Sequence, residues 1–355
     1  MKPKYQQLVD DLMELICKNI ESGINRLPTE SELCRIYGVS RQTVRLSLSI
    51  LEQDGMIEKR RGSGSFITGH FQDPAYNMIG VLLSSDSDYI YPALADDIIT
   101  ALSQQQFIPK VYVTDNDTFT ERQILASLLE DTPRALIVEG CRSAFPNPNL
   151  DLYEKLKKKG VHFVFLNNYY RNFEDCICIR DDNLGGSLML VRELIKNGHT
   201  AIGGIFKADD LQGIERYQGF TEAMRDETLP VPDHRIGWFL TEELHRLRKH
   251  HDISFLEKLV TDHLKDCSAV ICYNNEIAYY LAEVLTKMSF SIPEDITIAS
   301  FDNTYLDSFR GTPFLTLSHA PHEPGQRAVE ATLQQIRGIR AFSSELTWQL
   351  KGIPG

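Results

Sequence analysis

Arg41, Gln42, Thr43 and Arg45 crowd together directly behind Ser40. An arginine fork matches the acceptor pair on a guanine edge, and a glutamine amide matches the donor and acceptor on adenine. Such a cluster at the start of a helix can therefore read bases in a DNA major groove. A second basic group follows in Lys59-Arg60-Arg61-Gly62-Ser63-Gly64. There the glycines permit close backbone approach to a phosphate or a minor groove, with Arg61 carried to the contact. A third set is dispersed: Tyr89, Glu139, Asn167, Asp182, Lys207, Arg216, Asn274 and Asp302, most of them just after short apolar runs. Amides, carboxylates and cations together satisfy a polyhydroxylated molecule, because each hydroxyl both donates and accepts. Taken singly, each of these residues is more often a helix cap or a loop residue, Asn274 especially. Their recurrence at successive strand ends is what carries the ligand reading.

Other chemistries find no constellation. The seven cysteines, at 17, 34, 141, 176, 178, 267 and 272, lack zinc-site or redox spacing and read as small buried thiols. His319 and His322 have H-x-x-H spacing, but Pro321 interrupts any helix between them and no third ligand is evident, so no metal site is expected. Lys207 lacks a neighbouring base and orienting group, and Gly185-Gly186 and Gly203-Gly204 fit no phosphate-loop or dinucleotide fingerprint. Neither a catalytic residue nor a cofactor is expected, and an enzyme is the weaker reading.

The elements that must position these groups follow from periodicity. Tyr5, Leu8, Val9, Leu12 and Ile16 form one helical stripe. Thr29-Glu30-Ser31-Glu32 is a capping box for a second helix that ends at Gly38, and Ser40 caps a third running from Arg41 to about Asp54. Val44, Leu48 and Leu51 face inward on it, which turns Arg41, Gln42 and Arg45 outward. Residues 56–67 then read as a hairpin with a glycine-rich tip, and 70–77, which contain Pro74 and no helical period, as a linker. Beyond the linker, apolar strands near 78–83, 110–114, 135–138, 161–166, 201–206, 235–240, 269–273 and 296–301 alternate with helices. These helices lie near 93–106, 119–130, 150–159, 183–197, 213–226, 242–265 and 275–288. That rhythm implies parallel sheets covered on both faces, and so many strands fit two doubly wound lobes better than one, with ligands at the strand carboxyl ends.

Charge separates the parts. Residues 1–70 are near neutral, while the whole chain of 355 residues carries a net charge of −12, so the body is acidic and only the head can meet DNA. No run is long and apolar enough for a membrane span, and the N-terminus lacks the apolar core of a signal peptide. A cytoplasmic protein without membrane contact is therefore expected.

The run LPTESELCRIYGVSRQTVRLSLSILEQDGMIEKRRGSGSFI resembles the winged helix-turn-helix of GntR-type regulators. The resemblance implies DNA contacts from Arg41, Gln42, Thr43, Arg45, Arg61, Gly62, Ser63 and Gly64. GHTAIGGIFKADDLQGIERYQGF, AVICYNNEIA, IPEDITIASFDN and LTLSHAP resemble the effector-binding body of LacI-type repressors, itself similar to type I periplasmic sugar-binding proteins. That implies effector contacts from Arg216, Asn274 and Asp302. The pairing of the two resembles the arabinose-operon repressors of Gram-positive bacteria. What it implies is a winged helix-turn-helix domain at 1–69, a linker at 70–77 and a two-lobed α/β effector-binding and dimerisation domain at 78–355. The expected partners are double-stranded operator DNA, a small neutral sugar, L-arabinose first, and a second copy of the chain as a homodimer. Another pentose or hexose as effector, or a role as a solute-binding protein, is the alternative.

Overall fold

The computed structural model describes residues 3–53, 55–60, 63–68, 77–87, 89–173 and 176–351. The sequence readings at Arg61, Gly62 and most of the linker fall outside those residues.

In the head, α1 (Lys4–Glu21), α2 (Glu30–Tyr37) and α3 (Arg41–Gln53) pack beside the hairpin β1 (Ile57–Arg60) and β2 (Gly64–Ile67). The amphipathic stripe of α1 works as its spacing predicts: Leu8, Leu12 and Ile16 are buried against Leu33, Val44, Leu48 and Leu51. The capping box forms in full. Thr29 N donates to Glu32 Oε2 at 2.7 Å, and Glu32 N to Thr29 Oγ1 at 3.4 Å. Gly38 closes α2 in the left-handed region, at φ 64°, a conformation that costs glycine nothing. The helix–turn–helix angle is thus set by local signals at both ends of α2.

The first lobe holds β3 (Met78–Leu83), α4 (Tyr91–Gln104), β4 (Ile108–Val113), α5 (Thr118–Glu130), β5 (Ala135–Val138), α6 (Leu150–Lys158), β6 (His162–Leu166) and β7 (Ile177–Asp181). The second holds α7 (Asn183–Lys196), β8 (Ile202–Lys207), α8 (Leu211–Asp226), β9 (Ile236–Phe239), α9 (Thr241–His250), α10 (Ser254–Leu259), β10 (Ala269–Cys272), α11 (Asn275–Lys287) and β11 (Thr297–Ser300). It continues with the short hairpin β12 (Ser308–Phe309) and β13 (Thr312–Pro313), then β14 (Leu315–Ser318). The chain then goes back: α12 (Glu323–Ile336) and β15 (Ser344–Leu346) belong to the first lobe, and β16 (Gln349–Lys351) to the second. The sheet orders are β15-β7-β6-β5-β3-β4 and β16-β14-β11-β10-β8-β9. All pairings are parallel except β14 with β16. Each sheet is buried on both faces by apolar clusters, as continuous apolar strands require. The N-terminal winged helix-turn-helix followed by a two-lobed doubly wound body is the fold read from the sequence.

The expected helix at 242–265 is a correction. His251 adopts φ 52° and ends α9, and α10 restarts where Asp252 Oδ1 accepts from Ser254 N at 3.1 Å. An Asx-type local bond competes with helix continuation there. The return of the chain through α12 and β15 had no counterpart in the sequence reading. It brings the chain crossings between lobes to three, at 181–183, 318–323 and 346–349, which leave the ends of β7, β14 and β15.

Candidate functional site

Between the lobes lies a cavity of about 280 Å³. Its wall is built where the two parallel sheets turn their carboxyl ends toward each other, the place where a doubly wound fold leaves loop residues free to converge. Seven of the eight residues expected there reach it: Tyr89, Glu139, Asn167, Lys207, Arg216, Asn274 and Asp302. Asp182 does not. Its Oδ1 accepts from Gly185 N at 2.8 Å as the cap of α7, and Asp181, the last residue of β7, takes the cavity position instead. Neighbours at a strand end point to opposite faces, so the choice between them was one of register.

Each wall residue is held by a second group. Glu139 accepts from Ser84 N at 2.8 Å and Asn167 Nδ2 at 2.9 Å; burial still raises its carboxyl pKa against those two bonds. Asn167 and Asp302 both have φ 66°. Left-handed backbone at a non-glycine residue tends to mark functional positions, and here it aims two side chains inward at strand ends. Tyr89 Oη donates to Asp302 Oδ2 at 2.9 Å across the cleft; burial, with the Asp302 charge next, pushes the phenol pKa well up. Asp302 is raised as well, by burial acting against the nearby Arg216 charge. Asn274 does both jobs considered for it: it lines the cavity and its Oδ1 accepts from Ile277 N at 3.0 Å to cap α11. Gly213 lets the start of α8 come down on β8, because a Cβ there would sit 2.0 Å from the Lys207 carbonyl oxygen.

Several wall residues escaped the sequence reading. Arg248 sits in the last turn of α9 and pairs with Glu276 at 2.6 Å; Tyr273 donates to Asp210 Oδ2 at 2.7 Å. Three more come from the chain crossings. His319 stacks on Trp348 with centroids 3.7 Å apart, its Nδ1 is 3.1 Å from Thr347 O, and its Nε2 makes an ion pair with Asp181 Oδ1 at 2.9 Å. Burial opposes charge on this ring, but Asp181 and the Thr347 carbonyl outweigh it and the imidazole pKa is raised. His322 lies apart from His319 in bonding, with Nδ1 2.6 Å from Asp97 Oδ1. The signal available in sequence was Trp348, a rare residue type in a polar stretch.

In the head, Arg41, Gln42 and Arg45 are exposed on α3. Arg45 Nε is 2.9 Å from Glu30 Oε2, and Arg41 Nη2 donates to Ser31 Oγ at 3.2 Å, so α2 steadies both guanidinium groups. Thr43 is partly engaged in capping: its N donates to Ser40 Oγ at 3.1 Å, and the two hydroxyls lie 2.8 Å apart. Ser63 is exposed and Gly64 has φ 101° at the hairpin tip. Arg60 and Arg26 lie 4.8 and 5.7 Å over the Phe66 ring, which adds Arg26 to the basic surface of the wing.

The model of the gntR family of bacterial regulatory proteins matches residues 4–67, and that of the periplasmic binding protein-like domain matches residues 191–349. The chain is 31% identical to an arabinose metabolism transcriptional repressor of Geobacillus stearothermophilus, over 94% of this chain and 91% of that one. It is 27% identical to one from Halalkalibacterium halodurans, over 97% and 93%. Among solved structures, a putative ribose operon repressor from Burkholderia thailandensis superposes with a TM-score of 0.67 at 21% identity, covering 78% of this chain and 99% of its own. The transcriptional regulator CelR in complex with cellobiose gives a TM-score of 0.67 at 16% identity, covering 92% and 98%. At such identities the two structures speak for the fold.

Proposed function

The chain belongs to the arabinose metabolism transcriptional repressors, and from that premise we propose that it binds operator DNA as a homodimer and releases it when L-arabinose enters the cavity between the lobes. It is a sugar-responsive transcriptional repressor and not an enzyme. The observation that carries the choice of a free sugar is charge pairing within the cavity wall. All three strong cations that line it already face carboxylates: Lys207 faces Asp209 at 3.2 Å, Arg216 faces Asp181 at 3.3 Å and Arg248 faces Glu276 at 2.6 Å. A phosphorylated sugar needs unpaired cationic donors, whereas a neutral one needs the mixed donors and acceptors that remain. In this reading Tyr89, Glu139, Asn167, Lys207, Arg216, Asn274 and Asp302 contact the effector, and residues 78–355 form the effector-binding and dimerisation unit. Arg41, Gln42, Thr43, Arg45 and the wing residues Arg61, Gly62, Ser63 and Gly64 contact DNA from the unit at 1–69.

Two heads on one dimer must match the spacing of two half-sites, so a change in how the bodies sit is enough to weaken DNA binding. Titration calorimetry with L-arabinose, D-ribose, D-xylose and their phosphates, beside operator binding with and without each, tests the reading. The expected result is binding of L-arabinose and release of operator by it; binding of a phosphorylated compound alone would overturn it.

A further inference from the structure

The chain crossings tie the lobes together along one edge of both sheets, yet a second set of bonds joins the lobes at the other half of the cleft. It is made by the turn at 141–144, after β5, by the loops after β4 and β8, and by the first turn of α9. Arg142 has φ 43°, and its N donates to Asn116 Oδ1 at 2.7 Å. Asn116 Nδ2 in turn donates to Thr241 Oγ1 on the other lobe at 2.6 Å. The Arg142 guanidinium reaches Glu242 Oε1 at 2.5 Å and Asp209 Oδ2 at 3.7 Å. Ser143 Oγ donates to Asp210 Oδ1 at 2.9 Å and accepts from Leu211 N at 2.9 Å, so a first-lobe residue caps α8 of the second lobe. Asp209 is fully buried, and Lys207, at the cavity wall, lies 3.2 Å from it and 3.6 Å from Asp210. Asp209 is therefore shared between a cation of each lobe, Lys207 and Arg142. If the lobes part, Arg142 leaves and Asp209 keeps Lys207 as its sole cationic neighbour, drawing that ammonium away from the cavity.

We propose that the Arg142–Ser143 turn is a clasp across the cleft whose two side chains are positioning residues: by gripping Asp209 and Asp210 they hold Lys207 at the cavity wall and set the sugar concentration at which the repressor responds. The coupling to sugar rests on the function proposed above; the clasp itself does not.

The test uses the full-length protein and three variants, Arg142→Ala, Arg142→Lys and Glu242→Gln. Arg142→Ala weakens L-arabinose binding in calorimetry about tenfold, and the rim variant Glu242→Gln about threefold. Operator affinity without sugar stays at the parent value, and a parent-like thermal melt of the full chain shows that the body of each variant is folded. Arg142→Lys, which keeps a cation facing Asp209, retains most of the parent affinity. X-ray scattering of sugar-free protein reports the clasp independently: Arg142→Ala has a larger radius of gyration than the parent. Parent-like sugar affinity in both Arg142→Ala and Glu242→Gln, or an Arg142→Lys no better than Arg142→Ala, overturns the coupling. An unchanged radius overturns the clasp. A parent protein that binds no sugar while Arg142→Ala still expands would refute the proposed effector and leave the clasp standing.

Discussion

The guanidinium of Arg216 is enclosed by more of the protein than a ligand contact requires. It lies 4.2 Å over Phe301 and 5.1 Å over Tyr273, bonds Asn183 Oδ1 at 2.9 Å and Tyr273 O at 2.5 Å, and pairs with Asp181. Asp302 is half-buried, and among the described residues its hydrogen-bond partner is the Tyr89 hydroxyl. The two residues therefore separate under mutation. Arg216→Ala leaves Asp181, the Asn183 amide oxygen and the Tyr273 carbonyl each short of a buried donor and is expected to cost about 3–5 kcal/mol, seen as a fall in melting temperature with weakened operator binding. Asp302→Asn keeps a hydrogen-bonding group of the same shape and is expected to leave melting nearly unchanged while cutting sugar affinity at least tenfold. Equal destabilisation of both would mean a structural pair and no ligand site. His319 brings a pH dependence. Its native pKa is raised, so the stabilisation it supplies is complete below the ordinary histidine value of about 6.5 and is lost as pH rises through the raised native value. Melting of the parent should thus fall faster than that of His319→Gln from pH 6.5 upward; parallel curves would remove the ring from the account. At this scale the strand-end residues were legible because polarity recurs after each apolar run. Asp181 and Asp182 both follow such a run and only register separates them, whereas His319 and Trp348 were not legible, since the chain crossings bring them in and no local period does.

Helix ends carry the head. The reciprocal bonds of Thr29 and Glu32 and the left-handed Gly38 fix α2 against α3, and both were plain in the sequence because capping chemistry is local. Thr29→Ala is expected to cost about 1 kcal/mol. Chemical denaturation of the full chain should show the loss in the head's transition with sugar affinity intact; a loss of sugar affinity would mean that head and body do not unfold separately. On α3, Arg45→Ala is expected to weaken operator binding by about 1–3 kcal/mol and to relax preference at one base pair, if the guanidinium that Glu30 steadies meets a base edge. Binding across a set of single-base operator variants checks this. A uniform loss over all of them would make Arg45 a phosphate contact. The break between α9 and α10 was illegible for the opposite reason to the caps. Apolar spacing runs on through 242–265, and a single left-handed residue, His251, ends the helix in a way that spacing does not encode.

At the scale of the whole molecule, the alternation of strands and helices was enough to foresee two parallel sheets, but not which strands join which sheet. Strand period reports burial and is silent about order. The order matters because α12 and β15 come from the end of the chain and complete the first lobe: Ala328, Val329, Leu333 and Ile336 cover the sheet that β3 begins. Synthesis runs from the N-terminus, and domains that are contiguous can fold as they emerge. The head is contiguous and can close its own core early. The first lobe cannot, because one face of its sheet is covered only in part, by α4, until residues beyond 336 have left the ribosome. A nascent chain therefore acquires its means of holding DNA well before its means of sensing sugar. Any message cut short before α12 would yield a head joined to a lobe that never closes, a fragment with DNA contacts and no inducer to release them.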